Sequence, residues 1–270
     1  MRTDEFQFLV ALLKQRSGLM LTDDKTYLIE SRLLPIARNQ GVADISALCE
    51  LLRKSPREEL LIEVTEAMTT NESSFFRDIK PYDSLRKLVF PRIMEANQAS
   101  KKMRIWSAAC STGQEPYSIS ICIQEDQAKM PGWTFDIIGT DIAQKVIEKA
   151  QRGIYSQFEA QRGLPIQLLI KYFMQQPDTS WQLKDMVRSM VQYRTFNLLN
   201  SYSALGMFDI IFCRNVLIYF DEGSRAQVTE KMARSLNPKG VLILGSTETL
   251  IDPNGYFKPL PDFYGAYQLA

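Results

Sequence analysis

The chain has 270 residues, 45% of them hydrophobic and 23% charged, enough to bury one large domain or a main domain with a smaller satellite. Its net charge of +1 gives no field that would draw it as a whole to nucleic acid or to a membrane surface. Histidine is absent, which excludes Ser-His-Asp and Cys-His catalysis and every histidine-based metal site, so no metal is expected. No run approaches the roughly 18 apolar residues of a membrane span. The opening Met1 to Phe6 is too polar and acidic for a signal peptide. Cys49, Cys110, Cys122 and Cys213 show no C-x-x-C pairing and three lie in apolar runs, so buried reduced thiols and a cytoplasmic protein are expected.

Residues 1–70 read as an all-helical domain. Phe6, Leu9, Val10, Leu12 and Leu13 form one apolar stripe closed by Gly18. A second helix is predicted from about Asp24 to Gln40, where Pro35 should kink or divide it. Asp44 is placed to cap a third helix through Ile45, Leu48, Leu51 and Leu52, and Pro56 to open a fourth that ends near Met68. Residues 71–102 form a linker and connecting helix. The linker, Thr69-Thr-Asn-Glu-Ser-Ser-Phe-Phe-Arg77, is polar and then abruptly aromatic, and Asp78 is a candidate cap for the helix carrying Tyr82, Leu85, Leu88 and Val89.

From Met103 to the end the pattern alternates. Met103 to Ser107 reads as a buried strand running into the small-residue loop Ala108-Ala-Cys-Ser-Thr-Gly113, with a helix opening near Gln114. Phe135 to Thr140 is a second strand ending in Asp141, followed by a helix from Ala143 to Arg152 closed by Gly153. Phe208 to Cys213, Val241 to Gly245 and the alternating Phe263 to Leu269 are further strands, with a helix from about Glu222 to Leu236 broken at Asn237-Pro-Lys-Gly240. Near-continuous apolar strands alternating with helices argue an α/β fold, doubly wound around a mostly parallel sheet. Pro165 to Met174 reads as one helix, and Trp181–Lys184 with Met190–Arg194 as a small antiparallel insert at about 175–195.

The strand, small-residue turn and helix start around Ala108 to Glu115 make a pocket for a nucleotide-like ligand, although Ala108 and Cys110 stand where a Gly-x-Gly-x-x-Gly pattern would have glycines. Asp141 ends the second strand, where an acid pairs with ribose hydroxyls; its simpler reading is a cap of the next helix. Glu115, in a helix first turn, is favoured there by the dipole alone, or it faces a ligand ammonium. Asn71, Ser73 and Arg77 lie on the linker, either as a solvated loop over Phe75 and Phe76 or as ligand contacts, Arg77 offering a fork suited to a carboxylate. Cys213-Arg-Asn-Val-Leu-Ile-Tyr219 stands where the crevice of such a sheet opens; Asn215 and Tyr219 could touch a ligand, or the segment is core. Asn197 and Leu198 end another predicted strand and could form a plain turn. The basic residues of the second helix, Arg32 and Arg38 among them, would ordinarily be a solvated face.

Taken together, these segments resemble the CheR family of bacterial chemotaxis receptor methyltransferases over essentially the whole chain. The resemblance rests on Thr69 to Arg77, Ala108-Ala-Cys-Ser-Thr-Gly-Gln-Glu-Pro-Tyr-Ser118, Gly139-Thr-Asp-Ile142, Phe196-Asn-Leu-Leu199 and Phe212-Cys-Arg-Asn-Val-Leu-Ile-Tyr-Phe-Asp221. It implies a class I, Rossmann-type methyltransferase domain at 103–270, with S-adenosylmethionine as methyl donor and S-adenosylhomocysteine as product. Receptor glutamates would be the acceptors, giving methyl esters for chemotactic adaptation. By position, Asn71, Ser73 and Arg77 would touch the cofactor from the linker, Glu115 its amino-acid end and Asp141 its ribose. Asn197, Leu198, Arg214, Asn215 and Val216 would line the adenosine side, and Arg77 and Tyr219 would lie nearest the transferring methyl. Ser73 stands where threonine is common in the family and keeps the hydroxyl. The implied partner is the cytoplasmic helical domain of methyl-accepting receptors, docking on Arg32 and Arg38, with the enzyme a monomer that neither inserts in the membrane nor binds nucleic acid. The turn Gln175-Gln-Pro-Asp-Thr-Ser180 lacks the glycines expected of members that bind a receptor's C-terminal pentapeptide, so pentapeptide-independent action is expected.

Other readings compete. Amino-methylating DNA enzymes show Asp/Asn-Pro-Pro-aromatic where this chain has Arg214-Asn-Val-Leu, and no cysteine follows a proline as in cytosine-C5 enzymes. A nicotinamide dehydrogenase would need a better glycine pattern. A non-catalytic module binding S-adenosylmethionine as a regulator is a different class, against which intact Arg77 and Tyr219 speak.

Overall fold

The helical segment folds as the apolar spacing dictates. The structure, a computed structural model, describes Met1–Ala270 and divides into two compact units, Met1–Thr70 with Tyr219–Ser224, and Asn71–Ile218 with Arg225–Ala270. In the first, α1 (Thr3–Ser17), α2 (Thr26–Asn39), α3 (Ile45–Lys54) and α4 (Glu58–Met68) bury Leu9, Leu13, Ile29, Leu33, Leu48, Leu52, Leu60 and Val64 in one core. Asp44 caps α3 as expected, accepting from the Ala47 N–H at 2.8 Å. Pro35 does not divide α2, which runs unbroken from Thr26 to Asn39 with Pro35 on its exposed side. Pro56 does not open α4 either. Arg57 is the cap, and Glu58 and Glu59 take the first turn, where their charge suits the dipole. Within this unit the chain returns at Tyr219–Ser224, where Leu19 and Phe220 form a β-bridge and the Tyr219 carbonyl accepts from the Met20 N–H at 2.8 Å.

The second unit begins with the linker and a helix that runs as α5 (Lys80–Ser84), a π turn (Leu85–Val89) and α6 (Phe90–Ala96). Asp78 is not its cap, because Ile79 occupies that position and the Asp78 carboxylate is used elsewhere. The elements β1 (Lys102–Ala108), α7 (Gln114–Asp126), β2 (Thr134–Asp141) and α8 (Gln144–Arg152) follow in the expected order. Next come β3 (Ile154–Tyr155), α9 (Gln157–Gln161), α10 (Ile166–Tyr172), β4 (Phe173–Gln175), β5 (Trp181–Leu183), α11 (Asp185–Arg188) and β6 (Val191–Thr195). The chain closes with β7 (Phe208–Cys213), α12 (Glu222–Arg234), β8 (Leu236–Leu244), β9 (Phe257–Pro259) and β10 (Ala266–Leu269).

The main sheet has strand order β6-β2-β1-β7-β8-β10-β9. Strands β6, β2, β1, β7 and β8 pair in parallel, while β10 and β9 close one edge antiparallel. Alternate residues serve opposite faces. Ile105, Ile137, Ile210, Phe212, Val241 and Ile243 join one buried cluster with α6 and α7, while Trp106 on the other face packs against Phe196, Tyr202 and Phe208. From β1 the chain moves outward to β2, and from β7 it moves the opposite way to β8. The gap between the carboxyl ends of β1 and β7 is therefore the topological switch point, where such sheets open a crevice.

The insert differs from expectation. Met190–Arg194 does not pair with Trp181–Lys184; β6 joins β2 in parallel, from Ile137 opposite Val191 to Asp141 opposite Thr195. Gly139 explains the choice, since its missing side chain lets the Tyr193 ring lie against it: a Cβ at Gly139 would come within 2.7 Å of that ring. The small antiparallel sheet is instead β3-β5-β4, within 154–183 and not 175–195, and Met174 belongs to β4 and not to a helix. Asn237 to Gly240, expected as a break, is the extended start of β8.

Candidate functional site

The carboxyl end of β1 turns through Ala109, Ser111 and Gly113, all in the left-handed region (φ 58°, 51° and 94°), and enters α7. This curvature does without the glycine pattern because carboxylates hold it. Asp141, ending β2 and 5% exposed, accepts from the Ser111 N–H at 2.8 Å with one oxygen and from the Ala143 N–H at 3.1 Å with the other. It therefore clamps the loop and braces the turn that leads into α8. The adjacent β6 end is tied to the same strand end, since the Phe196 N–H donates to the Asp141 carbonyl at 2.7 Å, bringing Asn197 and buried Leu198 beside it.

Glu115, in the first turn of α7, is buried. It accepts from the Ser107 hydroxyl at 2.8 Å and from Arg214 Nη1 at 3.0 Å. Burial pushes its carboxyl pKa up, against the opposing pull of the Arg214 guanidinium. The family resemblance implies Glu115 and Arg214 at opposite ends of a ligand; the structure makes them partners. Arg214, at the end of β7, spreads its Nη2 over the Arg77 carbonyl at 2.9 Å and the Asp78 carboxylate at 2.7 Å. Its side chain is 1% exposed, lies over the Tyr82 ring, and leaves Nε without a partner.

These bonds draw the linker over the crevice. Ser111 Oγ donates to the Asn71 carbonyl at 2.6 Å and the Phe76 N–H to Ser118 Oγ at 2.9 Å, with Ser73 on the segment between. Phe75 is fully buried, edge-on to Tyr155 and Phe173, and Gly163 passes so close that a Cβ there would strike the Phe75 carbonyl. Phe76, Asp78 and Ile79 take positive φ to make the turn. The Arg77 guanidinium is half-buried and spends one donor on the Glu72 carbonyl at 3.2 Å.

Beyond Arg214, Asn215 adopts φ 57° and its N–H donates to Glu248 at 2.6 Å. The Val216 and Ile218 N–H groups donate to the same carboxylate at 2.9 and 3.3 Å. Sequence reasoning missed Glu248, Asp78 and Ser107 in these contacts. For Glu248 the available signal was an acid four residues past the end of a buried parallel strand. The structure thus gathers Asn71, Ser73, Arg77, Glu115, Asp141, Asn197, Leu198, Arg214, Asn215 and Val216 on segments meeting at the switch point. Tyr219 packs in the helical unit. There too Arg32 is withdrawn from the docking face expected of it: its guanidinium donates to the Met68 and Thr69 carbonyls, both at 2.9 Å, capping α4, whereas Arg38 stays exposed.

The donor set decides what this crevice can hold. Arg214 carries one positive charge against the carboxylates of Glu115 and Asp78, leaving one negative charge in excess within hydrogen-bond contact. A ligand with an ammonium or sulfonium and a vicinal diol fits the acidic cluster and the Asp141 carboxylate beside it. The thiols do not offer nucleophiles, because burial raises Cys110 and Cys213 well above their ordinary value and Cys122 to about 12. No group of residues with metal-ligand geometry is present.

A family model described as CheR methyltransferase, SAM binding domain, matches residues 71–264, and one described as CheR methyltransferase, all-alpha domain, matches residues 4–69. Chemotaxis protein methyltransferase Cher2 of Pseudomonas putida is 38% identical over 272 residues, covering 98% of this chain and 95% of that protein. Chemotaxis protein methyltransferase 1 of Pseudomonas aeruginosa is 37% identical over 269 residues, covering 98% and 95%. The chemotaxis protein methyltransferase of Vibrio parahaemolyticus is 40% identical over 248 residues, covering 91% and 89%.

Replacing the central cation tests this arrangement. Arg214→Met leaves Glu115 and Asp78 without their common partner and should cost about 3–5 kcal/mol of stability at neutral pH, the usual penalty for breaking a buried pair from one side. Urea denaturation measures it, and an unchanged midpoint would show that the linker and α7 are held by other contacts.

Proposed function

The chain belongs to the CheR methyltransferase family, and we propose that it transfers methyl groups from S-adenosylmethionine to glutamate side chains of bacterial chemoreceptors, giving methyl esters for chemotactic adaptation. The observation that supports this most directly is the excess of negative charge around the buried Arg214 at the switch point, in a chain that has no histidine. When bound, S-adenosylmethionine supplies a methyl group on a positively charged sulfur. The Glu115–Asp78–Arg214 cluster receives the cofactor's ammonium, and Asp141 accepts from its ribose hydroxyls. Asn197, Leu198, Asn215 and Val216 border the adenosine side, while Asn71 and Ser73 approach from the linker.

The acceptor needs no base. A glutamate carboxylate with a pKa of about 4.3 is already ionised at neutral pH, so an imidazole would have nothing to remove. What the protein supplies is alignment and exclusion of water. The free edge of the Arg77 guanidinium orients a carboxylate, and the Tyr219 hydroxyl donates a hydrogen bond to it. The acceptor is a helical cytoplasmic segment of the receptor, met by the enzyme as a cytoplasmic monomer, with Arg38 on the docking face. No helix of the chain is long and apolar enough to cross a membrane. The turn between β4 and β5 fits pentapeptide-independent action.

Three outcomes are expected. Incubation with methyl-labelled cofactor and receptor-bearing membranes should yield base-labile label on receptors, and Tyr219→Phe should slow transfer by roughly 10–100-fold, the worth of one hydrogen bond to a charged group. Cofactor binding without any transfer would instead support a regulatory module, and an unchanged Tyr219→Phe rate would refute the role of the hydroxyl. Affinity for S-adenosylhomocysteine should depend on Glu115. Its raised pKa means the folded protein keeps that proton above the ordinary value of about 4.3. The ionised form that accepts an ammonium therefore fills in only as pH rises past that value, and affinity should rise with it. Glu115→Gln should flatten the upper part of the titration; a calorimetric series with the same slope in both proteins would remove Glu115 from the ammonium site. Finally, a receptor C-terminal pentapeptide should show no saturable binding, while Arg38→Glu should weaken receptor methylation but not S-adenosylhomocysteine binding; peptide saturation, or unaffected methylation by Arg38→Glu, would contradict these assignments.

A further inference from the structure

We propose that Glu248 is a positioning residue for the cofactor site, its carboxylate holding the turn after β7 in the shape that presents Asn215 and Val216. The chain leaves β8 at Gly245 and folds back at once, the Glu248 N–H donating to the Gly245 carbonyl at 3.0 Å. This places a carboxylate that is 6% exposed directly against the neighbouring strand end. Oε2 accepts from the N–H groups of Asn215 at 2.6 Å and Gly245 at 2.8 Å, and Oε1 from those of Val216 at 2.9 Å and Ile218 at 3.3 Å. Four main-chain donors from the ends of two parallel strands thus converge on one anion.

The turn depends on that anion for two reasons. Asn215 sits at φ 57°, left-handed backbone that asparagine tolerates better than most L-residues, and the bond from its N–H at 2.6 Å holds it there. The Val216 and Ile218 donors would otherwise be left at the mouth of the crevice without protein partners. Gly245 shows that the fit is built: a Cβ there would lie 2.7 Å from Glu248 Oε2 and 2.9 Å from Asn215 Nδ2. The carboxylate occupies the space that any larger residue would fill. Because Arg214 directly precedes this turn and Tyr219 directly follows it, the anion sets the path of the chain between them.

The inference rests on the reading that Asn215 and Val216 border the cofactor, so the test reports on the turn and on the ligand separately. Residue-resolved amide exchange and S-adenosylhomocysteine calorimetry are run on the full chain, wild type beside Glu248→Gln. The amides of Asn215, Val216, Ile218 and Gly245 should exchange at least about tenfold faster while those of Ile210 and Ile211 are unchanged, and affinity should fall about tenfold or more. Gly245→Ala, which displaces the carboxylate without removing its charge, should give the same signature, and Glu248→Asp a smaller one. If Glu248→Gln loses protection at Ile210 and Ile211 as well, it has unfolded, and Gly245→Ala and Glu248→Asp decide. Unchanged exchange at the four amides overturns the proposal, as does faster exchange with undiminished affinity. A wild-type chain that does not bind S-adenosylhomocysteine would sink the cofactor reading, while the exchange data would still judge the hold of Glu248 on the turn.

Discussion

The guanidinium of Arg214 is the constraint on which the site depends. It closes β7, reaches the first turn of α7 through Glu115, and holds the linker through the Arg77 carbonyl and the Asp78 carboxylate. Burying the Arg214 cation beside Glu115, with Asp78 reaching in from a more exposed position, is costly, because the desolvation of each buried charge is repaid only by close and complete hydrogen bonding. A planar fork can meet that demand in three directions where a lysine ammonium would not. The repayment is incomplete: Glu115 stays easier to protonate than a solvated glutamate, and Nε has no partner. A site left with excess negative charge in a low-dielectric setting is one that a positively charged ligand stabilises, so the same contacts that assemble the crevice define its selectivity.

Carboxylates also do the work that glycines perform in dinucleotide loops. Ala109, Ser111 and Asn215 all take left-handed backbone, which costs an L-residue on the order of 1–2 kcal/mol and asparagine less. At two of the three, a buried acid accepts from the strained residue's own N–H: Asp141 from Ser111, and Glu248 from Asn215. Curvature is then fixed by an anion at a neighbouring strand end instead of by the absence of a side chain. No pyrophosphate needs to be wrapped here, so nothing requires three small residues in a row; negative charge at these turns would in fact repel phosphate. The loss of the glycine pattern and the gain of acids are two sides of one change in ligand.

What could be read from the residues followed the range of the forces involved. Local chemistry was readable: Asp44 caps α3, Gly153 closes α8 at φ 63°, and the apolar runs of β1, β2 and β7 lie in a parallel sheet as their composition required. Assignments that depended on distant partners were not. Asp78 looks like a cap by position, but a buried arginine far along the chain claims its carboxylate. The strand from Val191 to Thr195 looked like half of a hairpin because Trp181 to Leu183 lies close by, whereas the bare backbone of Gly139 decides its pairing. Arg32 looked like a solvated cation and caps a helix thirty-six residues away. Glu248 was invisible for a related reason: an acid after a strand is common, and only the folded neighbour supplies the donors that distinguish it.

The absence of histidine ties the electrostatics to the chemistry. Under the proposed reaction both partners arrive charged, the acceptor as an anion and the donor as a cation, and neither needs a proton moved before they meet. A protein serving that reaction has to sort charge by location. On that reading the acids around Arg214 would face the cationic donor and would repel a second carboxylate placed among them. The acceptor must therefore be received elsewhere, and Arg77 is suited to it because its carbonyl is bound into the acidic cluster while its guanidinium is half-buried with donors to spare. Under the proposed reaction one residue would carry the boundary between the two halves of the site, its main chain toward the cofactor and its side chain toward the acceptor. The linker is drawn onto α7 and β7, and under the proposed reaction a shift of Asn71–Arg77 would mix the two charge environments that have to be kept apart.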